Sequence, residues 1–416
     1  MIQKVFIVSI VLMFATNVYL FKHTWLPLPV LFSFLLIVLL FLSSKRVIFF
    51  DTFKNFEIIY FLFTFLLIAP LLFNDSITAY NISHVMSYLL PFFIFYKLYF
   101  FLFKRYLISL NNILTYISYG ILLASFIAIA EFIYSLMYVS ELMDLIPFTN
   151  TNQGTYMNFF RSQSLTYEPN HFGLYLVIFI PLIYLLRMNN PGFNKNKFYL
   201  FSSITFIGLL TTFSASVFVI LVLDLVIISC YIFLNLVQNK SKFLLAKFIA
   251  FACIFLILVS FFKDLLIFET VLSKVSFNHD VGITGSRVQR WQYLFNSLDG
   301  SILFGTGAGQ YIIELGQSAV NLWLQLLLEV GILGLLVFLT FITYPIFQFY
   351  SRFGVNKYTL SIYISFFNII VYHISIGNYW YPWLWIFLAI VVYINTFPRN
   401  FFKQHKVSPN RWTENR

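Results

Sequence analysis

The sequence predicts an all-α, polytopic membrane protein of about twelve transmembrane helices with two long external loops. Three observations predict it. Of the 416 residues, 60% are hydrophobic and 21% aromatic, against about 45–50% apolar in soluble domains, and mean hydropathy is +0.86. Apolar runs of about 17–25 residues, the length that crosses a bilayer, recur from end to end. The runs do not alternate in polarity, as the ~10-residue strands of a membrane barrel must.

In order, the runs cover residues 5–21, 26–43, 56–73, 85–103, 113–138, 171–186, 198–213, 215–237, 248–262, 320–349, 359–376 and 383–397. The first follows Lys4 as a signal peptide would, but no small-residue cleavage site closes it, so it reads as a retained helix. The fourth is the least regular, because it carries Pro91 and Lys97. Cys230 and Cys253 fall in or beside apolar runs, read as core residues and support no disulfide framework. The chain therefore reads as a single integral membrane domain over residues 1–400 and a basic cytoplasmic tail, residues 401–416, lying against lipid. No internal repeat of the transporter kind and no soluble domain are visible.

Orientation follows from the basic residues, which accumulate in cytoplasmic loops. One set of alternate connections, with both ends of the chain, holds 19 of the 26 Lys and Arg residues, among them Lys45, Arg46, Arg187, Lys195 and Lys197. The other set holds six, and Lys97 is left within a run. Both termini are thus expected in the cytoplasm. The net charge of +11 is mainly this bias and is no sign of nucleic-acid binding. The two long connections, about 139–170 and 263–319, fall outside, so any chemistry is expected there.

Three stretches in or after those loops carry unusual polarity for a chain that is only 10% charged. The first, Arg161 to Gly173, brings Arg161, Glu168, Asn170 and His171 to the mouth of the sixth run. Pro169 suits a first helical turn, which sets Glu168 at the helix N-terminus. An arginine fork beside helix N–H groups makes an anion site; ordinary interfacial charges on a capped helix are the plainer alternative. The second stretch holds Arg287 and Arg290, three apart and so on one helix face. Gly305, Gly307 and Gly309 follow at alternate positions, either as a tight loop with exposed backbone donors or as a simple re-entry turn. The third opens the tenth run with Asn321, Gln325 and Glu329 spaced by four, a polar stripe in an apolar helix. A carboxylate there is costly unless paired or functional, so the stripe fits either glue between helices or a site. His84, Glu131, Asp224 and His373 are further polar residues within apolar runs. No His or Cys pair has metal-ligand spacing, and there is no Asp-x-Asp, so neither a metal, a cofactor nor a nucleotide-sugar donor is expected.

Taken together and in this order, Arg161 with Glu168-Pro169-Asn170 and Gly173, Arg287 and Arg290 before Gly305-x-Gly307-x-Gly309, and Asn321-x-x-Leu324 with Glu329-x-Gly331 resemble the O-antigen ligase/polymerase superfamily of bacterial envelope enzymes. One departure is informative. Ligase members place His before the Asn of the third stretch, where this chain has Val320; that points to the polymerase branch. Ser214-Ala215-Ser216 stands where many relatives have Ser-Arg. The resemblance implies a GT-C-like, metal-independent membrane glycosyltransferase of the bacterial cytoplasmic membrane. Its substrates would be undecaprenyl-diphosphate-linked oligosaccharides, and its partners membrane lipids and a chain-length regulator. Arg161, Arg287 and Arg290 would hold the donor diphosphate, and Glu168, or else His171, would take the acceptor proton. Asn170, Gly305, Gly307, Gly309, Asn321 and Glu329 would support them. A ligase passing finished glycan to another acceptor and a lipid-linked oligosaccharide flippase are the rival expectations.

Overall fold

The computed structural model describes residues 1–19, 26–43, 54–73, 77–138, 142, 149, 155–156, 159–190, 192–238, 287–298, 302–377 and 380–398. In chain order the helices are α1 Ile2–Val11, α2 Leu28–Ser43, α3 Ile58–Ile68, α4 Ala79–Pro91, α5 Leu98–Arg105, α6 Leu110–Tyr138, α7 Pro169–Asn189, α8 Lys195–Leu210 and α9 Ala215–Gln238. They continue with α10 Arg287–Asn296, α11 Gln310–Leu315, α12 Leu322–Phe353, α13 Leu360–Tyr372 and α14 Pro382–Thr396. The described strands are one antiparallel pair, β1 Thr155–Tyr156 and β2 Phe159–Phe160. Among the described residues, six stretches are long and apolar enough to cross a membrane: Asn55–Phe73, Ala79–Arg105, Leu110–Tyr138, Pro169–Asn189, Ala215–Leu234 and Leu322–Phe353. With the shorter apolar helices α1, α2, α13 and α14, this is an all-α polytopic membrane protein. The expected run at 248–262 and the tail beyond 398 lie outside the described residues.

The first apolar run is not one long helix. α1 stops at Val11, and the chain then passes through turns, with Asn17 N–H donating to the Leu165 carbonyl at 2.8 Å and Val18 bridging Thr149. The apolar residues beyond α1 line a loop junction instead of continuing a span. Cys230 is exposed on the outward face of α9 rather than in the core.

Backbone polarity inside a bilayer must be satisfied within the protein, because no water is there to do it. Three breaks show how. Pro91 ends α4, and the chain passes through a π-helical turn, Phe92–Lys97, into α5. There Lys97 points inward and pairs with buried Glu57 at 2.7 Å, while the Tyr96 hydroxyl donates to the other Glu57 oxygen at 2.6 Å. The lysine left over by the loop count is therefore one half of a buried ion pair. Pro181 interrupts α7 and cannot donate to the carbonyl four residues earlier. That carbonyl, of Val177, accepts from Asn368 Nδ2 on α13 at 2.9 Å, and the same amide reaches Asp224 Oδ2 on α9 at 3.0 Å. Asp224 thus faces the bundle, as a mid-span carboxylate must.

The third break matters most. Gly331 has φ 65° and ψ −172°, so α12 is two helices joined by a kink. The carbonyls of Leu328 and Glu329, released by the kink, accept from the Thr306 and Gly307 N–H groups at 2.9 and 2.8 Å. Beyond it, the Ile332 and Leu333 N–H groups donate to the Ile302 and Leu303 carbonyls at 2.9 and 3.3 Å. The segment from Ile302 to Gly307 is thereby stitched along the broken helix like a strand.

Packing around these breaks is largely aromatic. Tyr60 stacks on Phe92 at 4.3 Å between centroids and meets Trp385 edge-on at 5.5 Å, each such pair contributing about 0.5–1.5 kcal/mol beyond burial. α14 is buried almost along its length, whereas Phe61, Phe65 and Phe347 point outward, as lipid-facing side chains do.

The kink yields a prediction. A Cβ at Gly331 would be driven onto the Leu303 carbonyl, in a left-handed backbone conformation. Gly331→Ala should therefore cost at least about 3 kcal/mol from strain and broken backbone bonds. Gly316→Ala, at a similar φ with open space around it, should cost only about 1–2 kcal/mol. Thermal unfolding of the two detergent-solubilised variants checks the ranking.

Candidate functional site

The polar stretches singled out in the sequence converge on one end of the bundle. α7, α12 and α14 begin there and α13 ends there. Backbone bonds lock the connections together: Ser162 N–H to the Thr211 carbonyl at 2.9 Å, Ala308 N–H to the Leu67 carbonyl at 3.2 Å, and Leu322 N–H to the His373 carbonyl at 2.9 Å.

Arg161 lies half-buried at the entrance of α7. Its Nε donates to the Thr212 carbonyl and its Nη2 to Asn170 Oδ1, both at 3.0 Å. Asn170 Oδ1 also accepts from Ser214 Oγ at 2.9 Å, and the Asn170 carbonyl accepts from the Tyr372 hydroxyl at 2.7 Å. The guanidinium is thus aimed by the α8–α9 turn and the first turn of α7 together. Gly173 is required one turn deeper, because a Cβ there would meet Val217 and, at 2.9 Å, the Tyr372 hydroxyl. The segment leading into α7 is held from below. Buried Glu131 of α6 accepts from the Gln163 and Ser164 N–H groups at 3.1 and 2.8 Å.

Glu168 takes the N-cap position in an extended conformation, followed by Pro169 in the first turn, and its side chain makes no capping bond. It remains half-buried at the helix mouth. His171 is placed differently: it is 2% exposed, with Nδ1 3.2 Å from the Tyr381 hydroxyl and its ring 4.5 Å from the Tyr381 ring. Of the two carried as proton acceptors, only Glu168 stands at the mouth.

A second network surrounds Glu329, which is fully buried. Its Oε2 accepts from the Tyr88 hydroxyl at 2.7 Å, and its Oε1 lies 2.7 Å from His84 Nε2. The Gly309 N–H and the Gln325 amide approach Oε1 at 3.3 and 3.4 Å. The glycine loop therefore spends its donors internally, on Glu329 and the α12 break, instead of holding them open for a ligand. The glycines are there for close approach: a Cβ at Gly305 would strike the Glu329 carbonyl, and one at Gly309 would press on Tyr80 and His84. Asn81 Nδ2 fastens the loop by donating to the Ala308 carbonyl at 2.9 Å.

The polar stripe divides into two jobs. Asn321 caps α12, its Oδ1 accepting from the Trp323 and Leu324 N–H groups at 3.0 and 3.2 Å; Gln325 and Glu329 face α4. Arg287 opens α10 and Arg290 is half-buried on it. That helix is tied to the entry of α12 by Trp291 Nε1, which donates to the Ala319 carbonyl at 2.8 Å. The structure thus joins Arg161 and Asn170 in one network and Gly309 and Glu329 in another. Among the described residues Arg290 belongs to neither, riding on α10 beside the entry of α12. The end of α13 ties the first network to the entry of α12, since Tyr372 bonds Asn170 and the next residue, His373, accepts from Leu322.

Among the described residues, four that are not glycine have positive φ, and three of them flank these networks: Ser164, Phe213 and Val320, at 54°, 44° and 48°. For β-branched Val320 this is a marked outlier. Strain of about 1–3 kcal/mol per residue persists only where surrounding bonds over-determine it, as the Glu131, Thr211 and Leu322 bonds do here. No three His, Cys, Asp or Glu side chains gather as metal ligands among the described residues. Sequence reasoning had His84 and Glu131 only as isolated polar residues, and Tyr88 and Tyr372 not at all. The i, i+4 spacing of His84 and Tyr88 opposite that of Gln325 and Glu329 is the signal that could have paired them.

Replacing Glu131 with Ala would leave two buried N–H groups without their acceptor, at about 1–3 kcal/mol each. Amide exchange at Gln163 and Ser164 should accelerate in that variant while the core of α7 stays protected. Unchanged exchange at both amides would remove Glu131 from the support of this segment.

No curated protein matches the sequence. A family model described as O-antigen ligase matches residues 200–339, a segment holding Ser214, Arg287, Arg290, the three glycines, Asn321 and Glu329 but not Arg161, Glu168 or His171. Over that segment the chain is similar to the O-antigen ligase family, which supports the resemblance to the O-antigen ligase/polymerase superfamily and, with the apolar helices, a multi-pass membrane enzyme of that kind.

Proposed function

We propose that this protein is a surface polysaccharide polymerase, joining undecaprenyl-diphosphate-linked oligosaccharide units at the outer face of the bacterial cytoplasmic membrane. The observation that carries it is Arg161, held by Thr212 and Asn170 at the N-terminus of α7, on the end of the bundle that also bears basic α10. Diphosphate departure develops negative charge, and cations held in place by the fold stabilise it without reorganising. The α7 N-terminus adds the favourable end of a helix dipole. Arg161 and the α10 arginines, Arg287 and Arg290, receive the donor diphosphate, and Gly305, Gly307 and Gly309 keep the broken α12 in register beside them. The bias of basic residues among the loops favours this end outside and both termini in the cytoplasm. A regulator of chain length would be a partner in this scheme.

A ligase is the second reading, and Val320 weighs against it, standing where ligases carry His. A flippase would need charge along a central cavity, whereas the arginines here lie at one end.

Deleting the gene should leave single repeat units on the carrier. Long chains accumulating on the carrier would instead mean a ligase, and units trapped inside a flippase. Arg161→Ala and Arg287→Ala should each reproduce the deletion in the glycan profile while the protein is still made. Arg161→Lys, which keeps charge but loses the fork, should lower chain extension at least about tenfold, the equivalent of one charge-assisted bond of about 1.5–3 kcal/mol. Long chains in all three variants would remove the arginines from the donor site.

A further inference from the structure

We infer that His84, oriented by Glu329, is the base that takes the acceptor proton, in place of Glu168 or His171; the inference rests on the polymerase reading above. The geometry is that of a histidine–carboxylate pair built across two helices. His84 Nε2 lies 2.7 Å from Glu329 Oε1, the histidine side chain 15% exposed and the carboxylate fully buried. That asymmetry is what a positioned base requires. The buried partner is immobilised, while the imidazole keeps some exposure, its ring 5.7 Å from that of exposed Tyr80.

Four groups hold Glu329 in place: the Tyr88 hydroxyl, the Gly309 N–H, the Gln325 amide and His84 itself. The carboxylate accepts a hydrogen bond from Nε2–H, so in the neutral ring the basic nitrogen is Nδ1. The Gln325 amide, 3.2 Å from Nε2, is then a neighbour of that atom and not a donor to it. The kink at Gly331 follows Glu329 by two residues, and Gly307 N–H binds the Glu329 carbonyl at 2.8 Å. The elaborate backbone of the glycine loop thereby fixes the carboxylate that orients His84. A purely adhesive stripe would not need a partly exposed imidazole at the end of it.

In the reaction, the acceptor hydroxyl oxygen attacks the anomeric carbon of the donor. The bond from that carbon to the diphosphate oxygen breaks, and its electron pair leaves with undecaprenyl diphosphate. The hydroxyl proton passes to His84 Nδ1, Glu329 balances the imidazolium, and the proton is then released to water. His84 is the catalytic residue in this step and Glu329 a positioning residue.

The test uses the full chain in nanodiscs and, as probe, the lipid-linked oligosaccharide extracted from the deletion strain. His84→Ala and His84→Gln should slow chain extension about 10²–10⁴-fold, the usual worth of a positioned base, while undecaprenyl diphosphate still binds. Added imidazole should restore part of the rate to His84→Ala. Glu329→Gln should lower kcat and leave KM for the donor unchanged. His84→Gln can still bond to Glu329, so it controls for folding. Wild-type rates in both His84 variants, or a full loss in Glu168→Gln with His84→Gln unaffected, would overturn the assignment. Failure of the wild-type protein to extend the probe would instead overturn the polymerase reading.

Discussion

The structure turns on the break in α12. A helix that crosses a membrane satisfies its own backbone, so a kink at Gly331 strands carbonyls and N–H groups where water cannot reach them. The segment from Ile302 to Gly307 supplies the missing partners on both sides of the kink. Much else at this end follows from that exchange. Gly305 must be glycine because it lies on the Glu329 backbone, and Gly331 because it lies on Leu303. Glu329 can be buried because the same loop brings the Gly309 N–H to it while α4 brings Tyr88 and His84.

Proline breaks elsewhere obey the same rule with simpler means. The α7 carbonyl released by Pro181 is met by a single amide, Asn368, which also holds Asp224. The difference is one of investment. One side chain seals the α7 break, whereas the α12 break recruits a whole loop and has a carboxylate and an imidazole beside it, with a strained Val320 at the entry of the same helix. Local strain and buried charge concentrated in one place are what sites need and what plain membrane packing avoids.

Much of this was legible in the sequence, for identifiable reasons. Bilayer thickness sets the length of apolar runs, so eleven of the twelve expected runs coincide with helices, although α1 is truncated. Its truncation was hidden because Thr16 and Asn17 are small polar residues within an apolar run, and nothing local says that they pair with a distant loop. Pro169 announced the α7 start, and Asn321 the α12 start, because caps are local chemistry. The fate of His171, sealed against Tyr381 at the entry of α14, and of His84, paired with Glu329, depends on tertiary contacts more than 200 residues apart in the chain. Periodicity assigns such residues a face but not a partner. The glycine triplet was visible as a motif, yet its donors serve the protein itself, which only the kink at Gly331 explains.

In the proposed function, the diphosphate-binding end and the proton acceptor lie on the same side of the bundle and are built from different helices. The measurement that tests this most directly is an experimental structure of the full chain with undecaprenyl diphosphate bound. Diphosphate density against Arg161 and the α7 N-terminus, on the side of the bundle that carries His84, is the predicted result. Density at the opposite end, near the Lys97–Glu57 pair, would contradict it.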